Sequence, residues 1–316
     1  MNSSEKQAEC HRARVDLLRG DSFAILDGTP LIFTTGNDIM EYTQTETRRI
    51  IMIEEKIIPL YIPYPDSNEE RLVRVFIPEH EAGETFPVIY MTDGQNLFED
   101  NHVEFGCWYT RETIRDEKKA TGKAAIIVGI HNDGDPMERT NELTPLTIGE
   151  LACPEELKLK ITPQGEIFDD FVVNRVMPVI EKDFPVELGR NATAICGSSS
   201  GGLQAFFTAL NHPDQFCAAG VLSPAFVIYT PEDMRDWIHS KLQPVLPYLY
   251  IYSGAGDDQE KLIYQSTEWT YEILEECYPP EKLNEVILFE MPHHETAWEQ
   301  IFKDFLHIYL ERRTEF

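Results

Sequence analysis

The stretch that decides the fold is ATAICGSSSGGLQAFF, residues 192–207. A short apolar run leads into three serines bracketed by glycines, and a helical pattern follows. G-x-S-x-G is a strand–turn–helix motif that exposes a nucleophile; here it runs from Gly197 to Gly201 with Ser199 in the middle. Small neighbours suit a bend where the chain folds back closely on itself. The alternative is a Gly/Ser turn in which Ser198 or Ser199 only caps the helix.

Similar apolar runs recur along the chain, each followed by a polar or helical stretch. They include PVIYMTD (87–93), AAIIVGI (124–130), CAAGVLSP (217–224), LYIYSGAG (249–256) and NEVILFEMP (284–292). This alternation predicts an α/β fold with a mostly parallel central sheet and helices on both faces. Residues 50–78 predict two strands joined by the turn-rich PDSNEE, which favours an antiparallel N-terminal hairpin at the sheet edge.

Two parts are expected along the chain. Residues 1–45 carry weak patterns and form an N-terminal extension of unassigned role, and residues 46–316 form a single catalytic domain. Within that domain, the segment 131–165 is polar and short of periodicity. A loop of that length in a compact domain is usually functional or forms a small cap.

Composition limits the partners. The 316 residues carry a formal net charge of −28, which argues against nucleic acid and anionic membrane surfaces as partners. The six cysteines form no CxxC pair, which favours a reducing compartment and no zinc site. The N-terminus lacks an apolar leader, and no apolar run has the length of a membrane helix, so we expect a cytoplasmic location.

An acid and a histidine follow the serine motif in the order that a Ser–acid–His triad requires in α/β hydrolases. Asp257, with Asp258 beside it, comes directly after the strand LYIYSG; its alternative role is to cap the helix that starts near Gln259. His293 and His294 follow the last predicted strand. Because the carboxyl ends of parallel strands meet at one edge of a sheet, these groups are expected to lie together.

The loop after the early strand PVIYMTD is expected to supply part of an oxyanion site. Gly94 permits a sharp turn there, and the backbone N–H of Gln95 is the predicted donor. The second donor is the backbone N–H of Ser200, the residue after the predicted nucleophile. The alternative, an Asp-Gly hairpin turn, does not explain the buried strand that precedes it.

These motifs resemble the esterase branch of the α/β hydrolases that contains enterochelin esterases and esterase D-like enzymes. The likeness covers about residues 65–312. MTDGQNLF is similar to the strand end of that family, GSSSGGLQA to its serine turn, and HHETAW to its H-N-E-x-A-W segment. The resemblance implies an α/β-hydrolase fold, with His293 at the catalytic position, His294 in place of the usual Asn, and Asp257 at the position of the acid.

The stretch GIHNDGDPMERTNEL is similar to a segment of the enterochelin esterases, which implies that Arg139 and Glu142 lie at the cleft. From the residues alone, these two could equally form a salt bridge within the loop. The side chains Trp108, His131, Phe226 and Trp298 are candidates for an aromatic cleft wall, with core packing as the alternative.

The expected function is hydrolysis of a small-molecule carboxylic ester through Ser199, His293 and Asp257, with an acyl-enzyme intermediate and without a metal or organic cofactor. The sequence does not choose among aryl, sugar and siderophore esters, and it does not indicate the oligomeric state. Three alternatives stay open. They are an acyltransferase with the same triad, a peptidase, and a non-catalytic carbohydrate- or siderophore-binding protein on the same scaffold.

Overall fold

The computed structural model describes residues 22–26, 29–33, 51–99 and 106–316. The chain divides into two units, Met1–Ile51 and Met52–Phe316. In the first unit, β1 (Ser22–Leu26) and β2 (Thr29–Phe33) pair in an antiparallel manner. The rest of the expected extension, residues 1–45, lies outside the described residues, and its assignment as a separate part stays a prediction.

The second unit contains an eight-stranded central sheet. Its strands follow the order β12-β11-β10-β9-β7-β8-β5-β4, and the short strands β3 and β6 pair with each other. The bounds are β3 Met52–Ile53, β4 Lys56–Pro63, β5 Glu70–Ile77, β6 His80–Glu81, β7 Val88–Met91, β8 Ile126–Ile130, β9 Thr193–Ser198, β10 Ala218–Leu222, β11 Tyr248–Gly254 and β12 Leu283–Leu288.

The sheet is parallel from β8 to β12 and antiparallel at its N-terminal edge. Strand β5 pairs with both β4 and β8 in the antiparallel sense, with Lys56 opposite Ile77 at one end of the β4–β5 hairpin. The predicted edge hairpin is therefore confirmed. Pro59 and Pro63 lie in β4, where an edge strand tolerates the missing N–H groups.

Every residue of the five inner parallel strands, β7 to β11, is buried. Successive side chains of a strand point to opposite faces of the sheet, so burial of all of them requires cover on both faces. This confirms the predicted layering. Burial on both faces also explains why the apolar runs in the sequence are continuous rather than alternating.

The helices fill the connections between these strands. Their bounds are α1 Thr110–Thr121, α2 Pro136–Glu142, α3 Glu155–Lys158, α4 Gly165–Phe171, α5 Met177–Asp183, α6 Ser200–Asn211, α7 Pro231–Lys241, α8 Asp258–Cys277 and α9 Glu295–Arg312, with a π-helical turn, Val172–Val176, between α4 and α5. No helix in these described parts combines the length and the apolar character needed to cross a membrane. The expected cytoplasmic location stays a prediction.

The segment 131–165 differs from the expected loop because it contains the short helices α2 and α3. Asp135 caps α2 by accepting hydrogen bonds from the N–H groups of Met137 and Glu138, and Pro136 takes the first helical position. A helix of seven residues makes only two turns, which is too short for a clear hydrophobic period. The Asp-Pro pair was the usable signal.

Candidate active site

Ser199 forms the bend between β9 and α6. Its backbone has φ 58° and ψ −125°, a strained conformation for a residue with a side chain. A Cβ on Gly197 would lie 2.3 Å from the carbonyl oxygen of Gly201, and a Cβ on Gly201 would lie 2.2 Å from Thr92 Oγ1. Glycine is therefore required at both positions, because strand, helix and the loop after β7 meet here.

The bend brings Ser199 to His293. Ser199 Oγ lies 3.0 Å from Nε2 of His293, which follows β12 in the loop before α9. The imidazole is 7% exposed, so most of it is shielded from water. His294 has a different place, since its Nδ1 accepts the backbone N–H of Thr296 and caps α9. Of the two adjacent histidines, only His293 contacts the serine.

The carboxylate on the imidazole is that of Glu260. Its Oε2 lies 2.5 Å from Nδ1 of His293, and its side chain is fully buried in the first turn of α8. The other oxygen, Oε1, accepts the N–H of Gly254 at 2.7 Å and the hydroxyl of Ser223 at 2.7 Å. A buried carboxylate needs such partners, because an unpaired charge in the interior is costly.

Asp257, the expected acid, does not contact the imidazole ring. Its Oδ1 accepts the backbone N–H of Glu260 at 2.7 Å, and its Oδ2 accepts the backbone N–H of His293 at 2.8 Å. Burial works to raise the pKa of Asp257, but these two N–H groups outweigh it and hold the pKa below its usual value. The helix-capping alternative therefore matches the structure. Asp258 is fully exposed and pairs with Lys261.

Sequence reasoning missed Glu260 although it stood three residues from the chosen acid. The signal was the cluster GDDQE, in which three carboxylates follow the strand end. Asp257 precedes the helix in extended backbone, and its short side chain caps the N–H of Glu260. Glu260 lies within the first turn, and its longer side chain reaches the imidazole. In this chain that difference separates Asp257 from Glu260.

The loop after β7 lies against the start of α6. Asp93 adopts the left-handed conformation, with φ 54°, and a short 3-10 turn over Gly94–Asn96 follows it. A Cβ on Gly94 would lie 2.5 Å from the backbone of Gly129, so this turn packs directly on β8. Ser200 is the first residue of α6, and the first N–H groups of a helix have no acceptor within that helix.

Arg139 fixes this loop from the other side. Its Nε and one terminal nitrogen donate to the two carboxylate oxygens of Asp93 at 2.6 and 2.8 Å. Burial works to raise the pKa of Asp93, but the charge and hydrogen bonds of Arg139 outweigh it and lower that pKa. A bidentate pair of this kind sets geometry as well as charge. Arg139 therefore supports the expected oxyanion loop.

Glu142 is held apart from Arg139. It pairs with Arg71, whose NH1 lies 2.8 Å from Oε2, and it accepts the backbone N–H of Asp133. The two residues therefore do not form the loop salt bridge that was the alternative. Each instead ties helix α2 to a strand end, Arg139 to the end of β7 and Glu142 to β5.

The expected aromatic wall is wrong for two of its members. Phe226 is fully buried and Trp108 is 2% exposed, so both are core residues that offer no surface to a ligand. Trp298 is also buried, but it contacts the site: its indole meets the His293 ring edge-on, with 5.0 Å between the centroids. Local sequence does not reveal burial, and an aromatic near a motif serves packing or binding equally well.

His131 is half-buried at the end of β8. Its carbonyl accepts a hydrogen bond from Arg71 and its N–H donates to the carbonyl of Leu72, so its backbone is bound to β5. Burial, followed by the nearby charges of Arg74 and Arg71, lowers the pKa of the imidazole to about 4. The ring is therefore neutral at physiological pH.

A second carboxylate of the site region, Glu295, also escaped the sequence reasoning. It is the first residue of α9 and is 5% exposed, and its Oε1 accepts a hydrogen bond from Asn96 at 3.2 Å. Burial raises the pKa of Glu295 to about 7, and the nearby charge of Asp93 acts in the same direction. The E of the HHETAW segment thus connects the histidine loop to the loop after β7.

The raised pKa of Glu295 predicts a pH-dependent stability. The folded protein binds this proton more tightly than the unfolded chain, so the carboxyl costs stability as pH rises from about 4.5 to about 7. Glu295→Gln keeps an acceptor for Asn96 and removes that cost. We expect the free energy of unfolding of Glu295→Gln, relative to that of wild type, to be larger at pH 8 than at pH 5 by on the order of 1–2 kcal/mol.

Urea unfolding at the two pH values measures this difference. The matched control is Glu299→Gln on the same helix, whose side chain pairs with Lys303 at the surface. A free-energy difference between Glu295→Gln and wild type that is the same at both pH values would contradict the prediction.

Within the described residues, one group has the spacing of a metal site. Glu117, His307 and Glu311 offer ligand atoms within 4.8 Å of one another on α1 and α9. His307 is already paired with Glu117, and Lys123 neutralises Glu311 at 2.8 Å. The group does not include Ser199, His293 or Glu260, so it has no direct part in the site.

The sheet order, the serine bend between β9 and α6, and the histidine loop after β12 together define the α/β-hydrolase fold. The chain belongs to the esterase family described as "Putative esterase", whose profile matches residues 65–303. This confirms the expected family.

Two curated relatives are similar over part of their length. An uncharacterized protein of Bacillus subtilis, YbbA, is 25% identical over 177 residues, 56% of this chain and 64% of that protein. An endo-1,4-beta-xylanase/feruloyl esterase of Xylanibacter ruminicola is 24% identical over 176 residues, 56% of this chain and 20% of that protein. The matches therefore cover less than two thirds of the length of either relative.

Solved structures agree in fold. Siderophore hydrolase EstB from Aspergillus nidulans has a TM-score of 0.61 at 19% identity, covering 81% of this chain and 95% of that one. Ferric enterobactin esterase from Salmonella typhimurium has a TM-score of 0.60 at 16% identity, covering 83% and 60%. A ferulic acid esterase has a TM-score of 0.58 at 17% identity, covering 82% and 99%.

Proposed function

We propose that this chain is a serine hydrolase that cleaves a small-molecule carboxylic ester through an acyl-enzyme intermediate. Ser199 is the nucleophile, His293 the general base and Glu260 the acid, in place of the expected Asp257. The observation that carries the proposal is the unbroken series of contacts from Glu260 Oε2 through His293 to Ser199 Oγ, at 2.5 and 3.0 Å. Family membership supports the same reaction class.

In the first half of the reaction, His293 Nε2 takes the proton of Ser199 as Oγ attacks the ester carbonyl. A serine hydroxyl is a weak nucleophile without an adjacent base, which makes the 3.0 Å contact essential. Glu260 Oε2 accepts a hydrogen bond from Nδ1–H of the imidazole, which keeps the proton on Nδ1 and leaves Nε2 free to take the serine proton. The ionised carboxylate then stabilises the imidazolium that forms, and His293 returns the proton to the leaving alcohol.

In the second half, water takes the place of the alcohol. His293 removes a proton from the water as the water oxygen attacks the acyl carbonyl. It then gives that proton to Ser199 Oγ as the bond between Oγ and the acyl carbon breaks, and the acid product leaves. Throughout, the backbone N–H groups of Gln95 and Ser200 are the proposed donors to the oxyanion. Each such donor is worth about 3–4 kcal/mol in comparable sites. The Asp93–Arg139 pair keeps the Gln95 loop in position.

Covalent labelling tests the proposal directly. A fluorophosphonate probe reacts with an activated serine, so we expect one label per chain, mapped by peptide mass spectrometry to Ser199 in the GSSSGG segment. The same preparation is expected to hydrolyse p-nitrophenyl acetate, and labelling is expected to abolish that activity in proportion. A label on another residue with activity retained would reject Ser199 as the nucleophile. Feruloyl and siderophore esters, suggested by the names of the structural neighbours, form the first substrate panel.

A further inference from the structure

Behind Glu260 lies a second series of hydrogen bonds that leads away from the proposed triad. Ser223 follows β10, is fully buried, and donates to Glu260 Oε1 at 2.7 Å. Trp298 on α9 in turn donates its indole N–H to Ser223 Oγ at 2.9 Å. The three side chains come from three separate loops or helices, so only the folded chain brings them together.

The direction of each proton in this series follows from chemistry. An indole Nε1–H only donates, so Ser223 Oγ accepts from Trp298. A hydroxyl has a single proton, and with Trp298 as its donor that proton is directed to Glu260 Oε1. The N–H of Gly254 donates to the same oxygen at 2.7 Å. Oε1 thus accepts from Ser223 and Gly254, with the Ser253 hydroxyl as a longer third contact at 3.3 Å, and Oε2 is left to face Nδ1 of His293.

The backbone of Ser223 indicates that this placement is built in at a cost. Its φ of 42° is in the left-handed region, which is unfavourable for serine. Its N–H donates to the carbonyl of Tyr252 at 2.7 Å, which anchors the turn to β11 next to Gly254. Trp298 also meets the His293 ring edge-on, so it contacts the base directly and Glu260 through Ser223.

We propose that Ser223 and Trp298 are positioning residues for ester hydrolysis: the indole N–H orients the Ser223 hydroxyl, which fixes the Glu260 carboxylate against His293. The proposal rests on the proposed function. Neither residue touches the reacting atoms. Their effect is on the fraction of molecules in which the imidazole has the correct orientation to accept the Ser199 proton.

The test is a double-mutant cycle on p-nitrophenyl acetate hydrolysis with Ser223→Ala, Trp298→Phe and the double variant. Hydrogen bonds to charged groups are the stronger kind, so we expect Ser223→Ala to lower kcat about 10- to 100-fold with KM changed less than about 3-fold. Trp298→Phe is expected to lower kcat about 3- to 10-fold. Because Trp298→Phe keeps an aromatic ring beside His293 and removes the N–H that Ser223 accepts, the double variant is expected to match Ser223→Ala within about 2-fold.

The matched control is Trp237→Phe. Trp237 is buried to the same 5% exposure as Trp298, but its Nε1 has no hydrogen-bond partner in the described part of the chain. Truncating an indole to a phenyl ring there is expected to leave kcat unchanged. A kcat loss as large as that of Trp298→Phe would assign the effect to lost packing and overturn the proposal.

A spectroscopic reading separates positioning from general stability. The low-field proton resonance of His293 Nδ1–H reports its hydrogen bond to Glu260, and we expect it to shift upfield in Ser223→Ala and Trp298→Phe. Losses that multiply in the double variant, or a wild-type kcat in Ser223→Ala, would overturn the proposal. If Ser223→Ala does not fold, the proposal is tested by Trp298→Phe alone, through its kcat and its His293 Nδ1–H resonance. Activity that survives in Ser199→Ala defeats the proposed function itself, which is a distinct outcome.

Discussion

Ser199→Ala is expected to lower kcat/KM for p-nitrophenyl acetate by about 10³-fold or more while the chain keeps its fold. The substitution removes the atom that we propose forms the acyl-enzyme, and His293 is left without the hydroxyl that lies 3.0 Å from its Nε2. What remains is the smaller acceleration from substrate binding and the oxyanion donors. Steady-state kinetics, with circular dichroism to check folding, measure the effect.

The neighbouring serines provide matched controls for that experiment. Ser198→Ala and Ser200→Ala make the same chemical change on either side of the bend. The proposed role of Ser200 uses its backbone N–H, which alanine retains, so we expect activity within about 3-fold of wild type for both. A Ser200→Ala variant as inactive as Ser199→Ala, or a Ser199→Ala variant with full turnover, would place the nucleophile elsewhere.

Glu260→Gln is the second substitution with a large expected effect, a loss of about 10²- to 10⁴-fold in kcat. The amide removes the negative charge that stabilises the imidazolium, and it can present an N–H where Nδ1 needs an acceptor. The contact it replaces is the 2.5 Å approach of Oε2 to Nδ1 of His293. The measurement is kcat with a saturating ester substrate, because the effect belongs to the chemical step.

Asp257→Asn and Asp258→Asn complete this comparison. Asparagine is also a good helix cap, so Asp257→Asn retains much of the contact with the Glu260 N–H, and we expect a loss of at most about 10-fold. Asp258 is at the surface, and Asp258→Asn is expected to stay within about 2-fold of wild type. A Glu260→Gln variant that is more active than Asp257→Asn would return the role of the acid to Asp257.

The proposed nucleophile and base were predictable because their positions depend on chain order. Ser199 and His293 stand at strand ends, and a parallel sheet brings strand ends of like polarity to one edge whatever the intervening sequence. The structure confirms the sheet, its edge hairpin and the proximity of these two residues.

The proposed acid was not predictable from chain order, because Asp257 and Glu260 follow the same strand and the choice depends on which carboxylate caps the helix and which reaches the imidazole. Burial posed the same difficulty for Trp108 and Phe226, since aromatic side chains next to a motif give no local sign of whether they face a cleft or the core. Helices α2 and α3 were missed for a different reason: with seven and four residues, they are too short for periodicity to distinguish them from loop.

The two hydrogen bonds of Asp257 limit how two segments of the candidate site can move relative to each other. Its carboxylate accepts the backbone N–H of Glu260 with one oxygen and the backbone N–H of His293 with the other, at 2.7 and 2.8 Å. The Asp257 carboxylate therefore links the start of α8 to the turn after β12. Moving one of these segments relative to the other would break a charge-assisted hydrogen bond. We therefore expect these two segments to keep their relative position when loops around the site move.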